Sequence, residues 1–279
     1  MVVVLALASS LCYGLADFLG GLLARRTSAW SVAVVSNSSA TLFTALGALA
    51  VVGSPRPADW LWGVVAGVGG GIGTVFLYRG LAGGRMSVVA PLSAVGAALL
   101  PVVVGVVTGE RPGVVTWVGL ACAFPAIWLI SRAAEPAAGQ PPAASGGVVD
   151  GLLAGLGFGV LFAGLAQVPD AAGLGPLALT QGVSVIAIVT LATALRQRWV
   201  PRDRHAASAV LVGFLGAVAT WLFLLASQSG FLTVAAVLSS LYPASTVVLA
   251  AVVLHERIDR AQSVGLLLAA LAVGLVAAG

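Results

Sequence analysis

The chain has 279 residues, of which 60% are hydrophobic and only 8% are charged. A soluble domain has about a quarter of its residues charged, so this chain cannot cover a water-exposed surface and most of its exterior must face lipid. The net charge of +4 comes from arginines that lie between apolar segments, where membrane proteins place interfacial anchors, and it does not indicate nucleic-acid binding. The composition predicts an all-α integral membrane protein.

Ten apolar runs follow one another along the chain, each close to the roughly 20 residues that a spanning helix needs. In chain order they are Val2–Ala24, Ala29–Val52, Trp60–Tyr78, Met86–Val107, Gly113–Ser131, Val148–Val168, Leu174–Leu195, Ala206–Ala226, Phe231–Leu254 and Ala261–Ala278. The first run lacks a basic leading region and stays apolar up to Ala24, so we expect it to be a retained helix and not a signal peptide. Short connections predict that successive helices run antiparallel as neighbours.

Residues 132–147 divide the ten runs into two groups of five. This segment is rich in Pro, Ala and Gly and has no periodic apolar face, which is typical of a flexible linker. We therefore expect two five-helix units, residues 1–131 and 148–279.

The two groups are related as repeats. A gap-free shift of 146 residues aligns Leu77–Ile130 with Phe223–Val276 and places one Glu-Arg pair on another, a strong match where charges are scarce. Because five is an odd number, the second copy must enter the membrane in the opposite orientation. The pattern predicts inverted repeats, which are typical of alternating-access transporters with a substrate site near the midplane.

The duplicated pairs are Glu110-Arg111 and Glu256-Arg257, each at the end of an apolar run and the start of a short turn. A carboxylate is favoured near a helix N-terminus, where the helix dipole is positive. We interpret both pairs as structural clamps of interfacial turns and not as substrate ligands.

Glycines recur every four residues in the third run (Gly63, Gly67, Gly71) and in the sixth (Gly151, Gly155, Gly159). This spacing places small residues on one helix face and lets neighbouring backbones approach closely. We expect tight helix packing there, which is compatible with a sliding surface. Cys12 and Cys122 lie in different runs, and we expect packing residues, not a disulfide or a metal site.

Asp17 is the carboxylate inside the first run. Counting by three and four places it with Tyr13, Gly14 and Gly20 on a small, polar face, so it should point into the bundle and away from lipid. The favoured interpretation is a proton-coupling or substrate-binding group. The alternative is a structural ion pair with an arginine such as Arg79.

Polar side chains form faces in three other runs. They are Asn37, Thr41 and Thr44 in the second, Gln181 and Ser184 in the seventh, and Ser239, Tyr242 and Thr246 in the ninth. Each hydroxyl taken singly is expected to bond its own backbone or a neighbouring helix. Together they are compatible with a hydroxyl-bearing, aromatic cavity.

The sequence resembles the EamA family of the drug/metabolite transporter superfamily. The resemblance is carried by the duplicated Glu-Arg unit and by ADFLGGLLARR (16–26), LYRGLAGGRMSVVAP (77–91) and GERPGVVTWVGL (109–120), and it covers essentially the whole chain. It implies ten helices in two inverted repeats and secondary transport of small metabolites, often export. It also implies a central cavity lined by the first, third, fourth, sixth, eighth and ninth helices. Our candidates for that wall are Tyr13, Asp17, Trp221, Ser239 and Tyr242.

The membrane orientation receives opposite predictions. The resemblance implies a cytoplasmic N-terminus, whereas eleven of the thirteen arginines fall on the side that this orientation places outside. The positive-inside rule favours the reverse arrangement.

The leading hypothesis is a transporter of a small organic metabolite in a bacterial inner membrane, in the export direction and proton-coupled. No Walker-type loop, metal cluster or nucleophile constellation is present in the sequence, so we expect a gradient as the energy source, no cofactor and no enzyme activity. We expect a monomer in the lipid bilayer. The alternatives are a non-transporting scaffold or receptor and, with less support, a membrane enzyme.

Overall fold

The computed structural model describes residues 1–82, 86–131, 146–253 and 258–279, and this part of the chain is helical without a β-strand. The α-helices are α1 (Val2–Ala24), α2 (Ala29–Ala50), α3 (Pro57–Ala82), α4 (Met86–Val107), α5 (Val114–Ser131), α6 (Gly146–Leu165), α7 (Gly175–Ala194), α8 (Arg204–Ala207), α9 (Ala209–Gln228), α10 (Leu232–Ser239), α11 (Tyr242–Val253) and α12 (Arg260–Ala278). A 3₁₀ turn, Asp170–Ala172, precedes α7. Most of the predicted linker, residues 132–145, lies outside the described residues.

The ten predicted runs correspond to these helices, with α8–α9 formed by the eighth run and α10–α11 by the ninth. Eight helical segments are long and apolar enough to cross a membrane, and two shorter apolar helices, Leu92–Val107 and Val114–Ile130, account for the remaining two. The chain is therefore a multi-pass membrane protein by the length and composition of its helices.

The ninth run differs from its prediction as one continuous helix. It is interrupted at Ser240 and Leu241, where the backbone bonds tighten: Leu241 N donates to Leu238 O and Ala244 N donates to Leu241 O. Pro243 supplies the reason, because it has no N–H and its ring clashes with the carbonyl four residues earlier. The ninth run is thus divided between α10 and α11.

Two pairs of helices at equivalent positions of the sequence repeats pack against each other in antiparallel fashion. In the α5–α12 pair, Gly119 near the start of α5 lies against Val276 near the end of α12, and Gly265 near the start of α12 lies against Ile130. The fourth and ninth runs behave likewise, since Gly105 contacts Thr233 and Ser93 contacts Tyr242. Each repeat therefore runs opposite to its counterpart at these contacts.

Both predicted glycine stripes lie in helix interfaces. Gly63, Gly67 and Gly71 pack against α7, and Gly151, Gly155 and Gly159 pack against α4. A Cβ added at Gly67 would lie 2.5 Å from the Thr180 carbonyl oxygen, so only glycine permits this approach.

Hydroxyl groups join the closely packed helices, as the sequence predicts. Thr180 donates to Gly63 O (3.0 Å) and Ser184 donates to Gly67 O (2.8 Å), which links α7 to α3. Thr246 donates to Gly14 O (3.3 Å) and links α11 to α1. These bonds satisfy polar groups that would otherwise be costly inside a membrane. Cys12 and Cys122 are free thiols.

Candidate functional site

A cavity lies between the two repeats and takes three helices from each: α1, α2 and α3 from the first and α6, α7 and α9 from the second. It contains about 550 Å³ of space not filled by protein atoms, including the part open to the exterior. Its wall is formed by Tyr13, Ala16, Asp17, Ser36, Asn37, Ala40, Gly70, Thr74, Leu77, Tyr78, Phe158, Leu161, Gln181, Ser184, Val212, Gly213, Gly216 and Thr220. The second and seventh helices line this cavity, although the family resemblance did not imply them.

Asp17 lies on this wall and is the charged side chain among the described lining residues. It is half-buried. Within the described part of the chain, no group lies within hydrogen-bond or ion-pair distance of its carboxylate. The position agrees with the helical periodicity of the first run.

Arg79 is engaged elsewhere. It forms a salt bridge with Asp150 of α6, and its Nε donates to Oδ1 at 3.0 Å. Its guanidinium also lies over the Phe76 ring, 4.4 Å from the centroid. The alternative interpretation, a structural pair of Asp17 with Arg79, is therefore not what the structure contains.

Tyr13 lies one helical turn before Asp17 and is also on the wall. Its hydroxyl donates to Thr220 Oγ1 at 3.1 Å, a contact between the two repeats. Its ring is 5.7 Å from Phe162 and 6.4 Å from Tyr242, measured between centroids. Tyr13 thus connects the cavity to the aromatic cluster behind it.

The other three candidates for the wall lie away from this cavity. Tyr242 is buried beside Tyr13, and its hydroxyl bonds to Ser93 Oγ at 2.9 Å. Ser239 is fully buried and donates to Ala6 O at 3.4 Å. Trp221 is 37% exposed on the outside of α9. Tyr242 therefore supports the wall from behind, and Ser239 joins helices.

Two amides on the wall were noted in the sequence only as parts of polar helix faces. Asn37 Nδ2 donates to Ala33 O at 3.0 Å, and Gln181 Nε2 donates to Thr220 Oγ1 at 3.3 Å. One N–H of each amide is bonded to protein, and each carbonyl oxygen can accept a hydrogen bond from a bound molecule. The sequence signal for Asn37 and Gln181 was their place among polar residues at helical spacing. That signal does not distinguish a cavity residue from a residue that only bonds to a neighbouring helix.

Two threonines and two glycines give the cavity internal symmetry that sequence reasoning missed. The 146-residue offset of the repeats places Thr74 on Thr220 and Gly70 on Gly216, and all four line the cavity. The offset follows from the sequence alone, but the aligned segment Leu77–Ile130 begins after both residues of the first repeat. Tyr78, also on the wall, has Leu224 as its equivalent, so the polarity is unequal between the repeats.

The first Glu-Arg pair is placed at a turn near one end of the bundle. The Glu110 carboxylate accepts bonds from the backbone N–H groups of Leu232 and Thr233, the latter at 3.0 Å, and so caps α10. Arg111 is exposed and donates to the carbonyls of Val106 (3.1 Å) and Glu110 (2.8 Å). The second pair, Glu256-Arg257, lies outside the described residues.

No cluster of three or more His, Cys, Asp or Glu side chains that could hold a metal ion occurs within the described ranges. The arrangement around Asp17 is therefore described by its carboxylate, the two amides, the hydroxyl groups and the aromatic rings. Such a wall can bind and orient a small molecule through hydrogen bonds and one acidic side chain.

The fold has a counterpart among solved structures. One crystal structure superposes on this chain with a TM-score of 0.73 at 16% sequence identity, covering 98% of this chain and 95% of the other. No curated protein matches the sequence. The structural likeness extends over nearly the whole chain and establishes the fold.

The sequence also matches a family model in two copies. The EamA-like transporter family model covers residues 1–132 and again residues 145–278. These two matches coincide with the two five-helix groups and together cover nearly the entire chain. The protein therefore belongs to the EamA-like transporter family.

Proposed function

We propose that this chain is a secondary-active transporter that moves a small organic metabolite across a bacterial inner membrane, in the export direction. The observation that carries the proposal is the position of the cavity, which is lined by the first three helices of one repeat and the first three runs of the other. A site between two repeats is the arrangement that alternating access requires, because rocking one repeat against the other exposes it to each side in turn.

The packing of equivalent helices supports inverted repeats in the membrane. Antiparallel contacts in the α5–α12 pair fit a two-fold axis in the membrane plane, whereas an axis along the membrane normal would make equivalent helices parallel. Since both repeats belong to one chain, a monomer contains the complete pathway. No cofactor or second protein enters this scheme.

Proton coupling is proposed for Asp17. A carboxylate that couples transport to a proton gradient must contact the cavity and must be free to change its protonation state as access alternates. Asp17 meets the first condition by lining the cavity, and its lack of a partner among the described groups supports the second. An intramembrane acid in such a position is the usual kind of coupling group.

The test is transport by the purified protein in liposomes. Preloaded vesicles are screened for counterflow of small organic solutes, and active solutes are then tested with and without an imposed pH gradient. The proposal expects saturable counterflow that protein-free vesicles lack, with accumulation driven by the gradient. A correctly folded protein that moves no solute in a broad screen would favour the scaffold or receptor alternative, and consumption of a solute without its translocation would favour an enzyme.

A further inference from the structure

We propose that the cavity selects a small organic cation, an ammonium group carried on an aromatic or apolar body, with Asp17 as its counter-ion. This inference rests on the proposed function, since it names the substrate class of the same cavity. It depends on the charge of the wall, the direction of its hydrogen bonds and the rings that surround it.

The described wall has one acidic side chain and no basic one. Asp17 is that acid, whereas neither Arg79 nor any other described arginine or histidine lines the cavity. Arg79, one residue after Tyr78, is held by Asp150. A substrate that entered with a cation would therefore find a counter-charge, and a substrate with a carboxylate would meet repulsion from Asp17.

Several groups on the wall can accept a hydrogen bond from a substrate. Asn37 and Gln181 each donate one N–H to a protein atom, and their carbonyl oxygens are acceptors. Ser184 donates to Gly67 O, and Thr220 donates to Gly216 O at 2.6 Å. An ammonium group carries two or three N–H donors and no acceptor, so it matches Asp17 together with these amide oxygens.

Aromatic rings provide the third element. Tyr13, Tyr78 and Phe158 contribute to the same wall, and Tyr13 keeps its hydroxyl bonded to Thr220. Ring faces carry negative electrostatic potential and attract cations, while they also bury apolar surface. A carboxylate among aromatic rings therefore favours an amine with an apolar body over a neutral or anionic solute of the same size.

The experiment compares probes of matched size and different charge by calorimetric titration of the purified full chain in detergent. The probes are 2-phenylethylammonium, benzyltrimethylammonium, 2-phenylethanol, phenylacetate and phenylalanine. We expect 2-phenylethylammonium to bind most tightly. Benzyltrimethylammonium, which has the charge but no N–H, should be second, and the alcohol should follow. Phenylacetate and phenylalanine should be weakest because each carries a carboxylate. A neutral or anionic probe that binds as tightly as the ammonium overturns the inference.

Variants assign the selectivity to Asp17. In Asp17→Asn, ammonium affinity should fall by about 30-fold or more, as for loss of one partner of a desolvated charge pair, while affinity for 2-phenylethanol stays unchanged. The matched control is Asp59→Asn, because Asp59 pairs with Arg56 at 3.2 Å and does not line the cavity. This variant should bind the probes in the same order of affinity as the wild-type protein. Equal loss of both probes in Asp17→Asn would contradict the assignment. If Asp17→Asn does not fold, the test uses Asp17→Glu, which keeps the carboxylate, together with the wild-type protein. Both should bind the ammonium probe more tightly than the neutral and anionic probes, and loss of that order would overturn the inference.

Binding and transport separate the two proposals. Ammonium selectivity in detergent without transport in liposomes would retain the cation site and refute the transporter. Counterflow of neutral or anionic solutes, together with no preference for the ammonium, would retain the transporter and refute the cation site.

Discussion

The phenol ring of Tyr78 in α3 packs directly against Gly20 of α1, and a side chain at position 20 would occupy the space that the ring fills. A Cβ built on Gly20 would lie 2.6 Å from Cζ and 2.7 Å from the hydroxyl oxygen of Tyr78. Gly20 is one helical turn from Asp17, so this contact seats the Tyr78 ring beside the carboxylate at the cavity wall.

Gly20→Ala should therefore displace Tyr78 and damage both packing and binding. Overpacking of this kind costs about 1–3 kcal/mol, which thermal unfolding in detergent measures, and titration of the probes above measures the loss of affinity. Gly274→Ala in α12 is the control, because a Cβ there meets nothing within 4 Å, and its unfolding temperature should not fall. Equal behaviour of the two variants would mean that Gly20 does not position Tyr78.

Asp17→Asn should fold normally and lose coupling. The substitution leaves no described cation without its partner, so the unfolding temperature should stay the same or rise as an unpaired charge is removed. Asparagine cannot release a proton, so accumulation driven by a pH gradient should disappear in liposomes. Undiminished gradient-driven accumulation would exclude Asp17 as the coupling group. A large loss of stability would instead indicate a structural role.

The Arg79–Asp150 salt bridge should stabilise the contact between the repeats. The Asp150 side chain is 5% exposed and that of Arg79 is 40% exposed. The stabilisation by this pair should therefore lie between that of an exposed salt bridge and that of a fully buried one. We expect Asp150→Asn to lower the free energy of unfolding by about 1–2 kcal/mol. In a double-mutant cycle with Arg79→Gln, the combined loss should be smaller than the sum of the two single losses. Additive losses would show that the side chains do not interact.

Glu110 should contribute more than Arg111 to the stability of the protein, because it caps α10. Replacing Glu110 with Ala leaves the N–H groups of Leu232 and Thr233 without their carboxylate acceptor, at a cost of about 1–2 kcal/mol. Arg111→Gln removes bonds made by an exposed guanidinium and should cost less. Thermal unfolding in detergent gives the ranking, and the reverse order would contradict the capping role.

Asp203 gives the chain a stability term that depends on pH. Thr27 donates to its Oδ2 at 2.6 Å and the Ala206 N–H donates to its Oδ1 at 2.7 Å, so the pKa of Asp203 lies below its usual value of 3.8. A lowered folded-state pKa means that this stability is present above the unfolded value, at about pH 4 and higher, and is lost as the pH falls through the folded value. In unfolding measured from neutral to acidic pH, Asp203→Asn should remove part of the wild-type acid dependence. Parallel curves for the two proteins would rule out this contribution.

The sequence predicted the ten apolar runs and the helix face that carries Asp17, because both depend on local patterns. Run length determines which segments can span a membrane, and helical periodicity determines which face holds the carboxylate. The partner of Arg79 could not be predicted in this way. Asp150 lies 71 residues further along the chain, and only the packing of α3 against α6 brings the two side chains together.

Trp221 shows where local pattern was insufficient. Its neighbour Thr220 lines the cavity, and one residue along a helix is a rotation of about 100°, which places Trp221 on the outside. The ninth run was predicted as one span, whereas the structure divides it between Ser239 and Tyr242. The face that Trp221 occupies depends on how α9 packs against its neighbours, whereas the break in the ninth run lies next to Pro243.

The Arg79–Asp150 contact has an energetic consequence for a cycle that exchanges the conformations of the two repeats. Under the 146-residue offset, the equivalents of Arg79 and Asp150 are Leu225 and Val4, so the equivalent positions carry no charged side chains. In the proposed alternating-access cycle, the state seen in the structure contains this ion pair, and the equivalent contact that would form in the opposite state has no charges to pair. We therefore expect the two end states to differ in free energy even without substrate, and we expect ionic strength to shift the resting population between them, because salt screens a partly exposed pair.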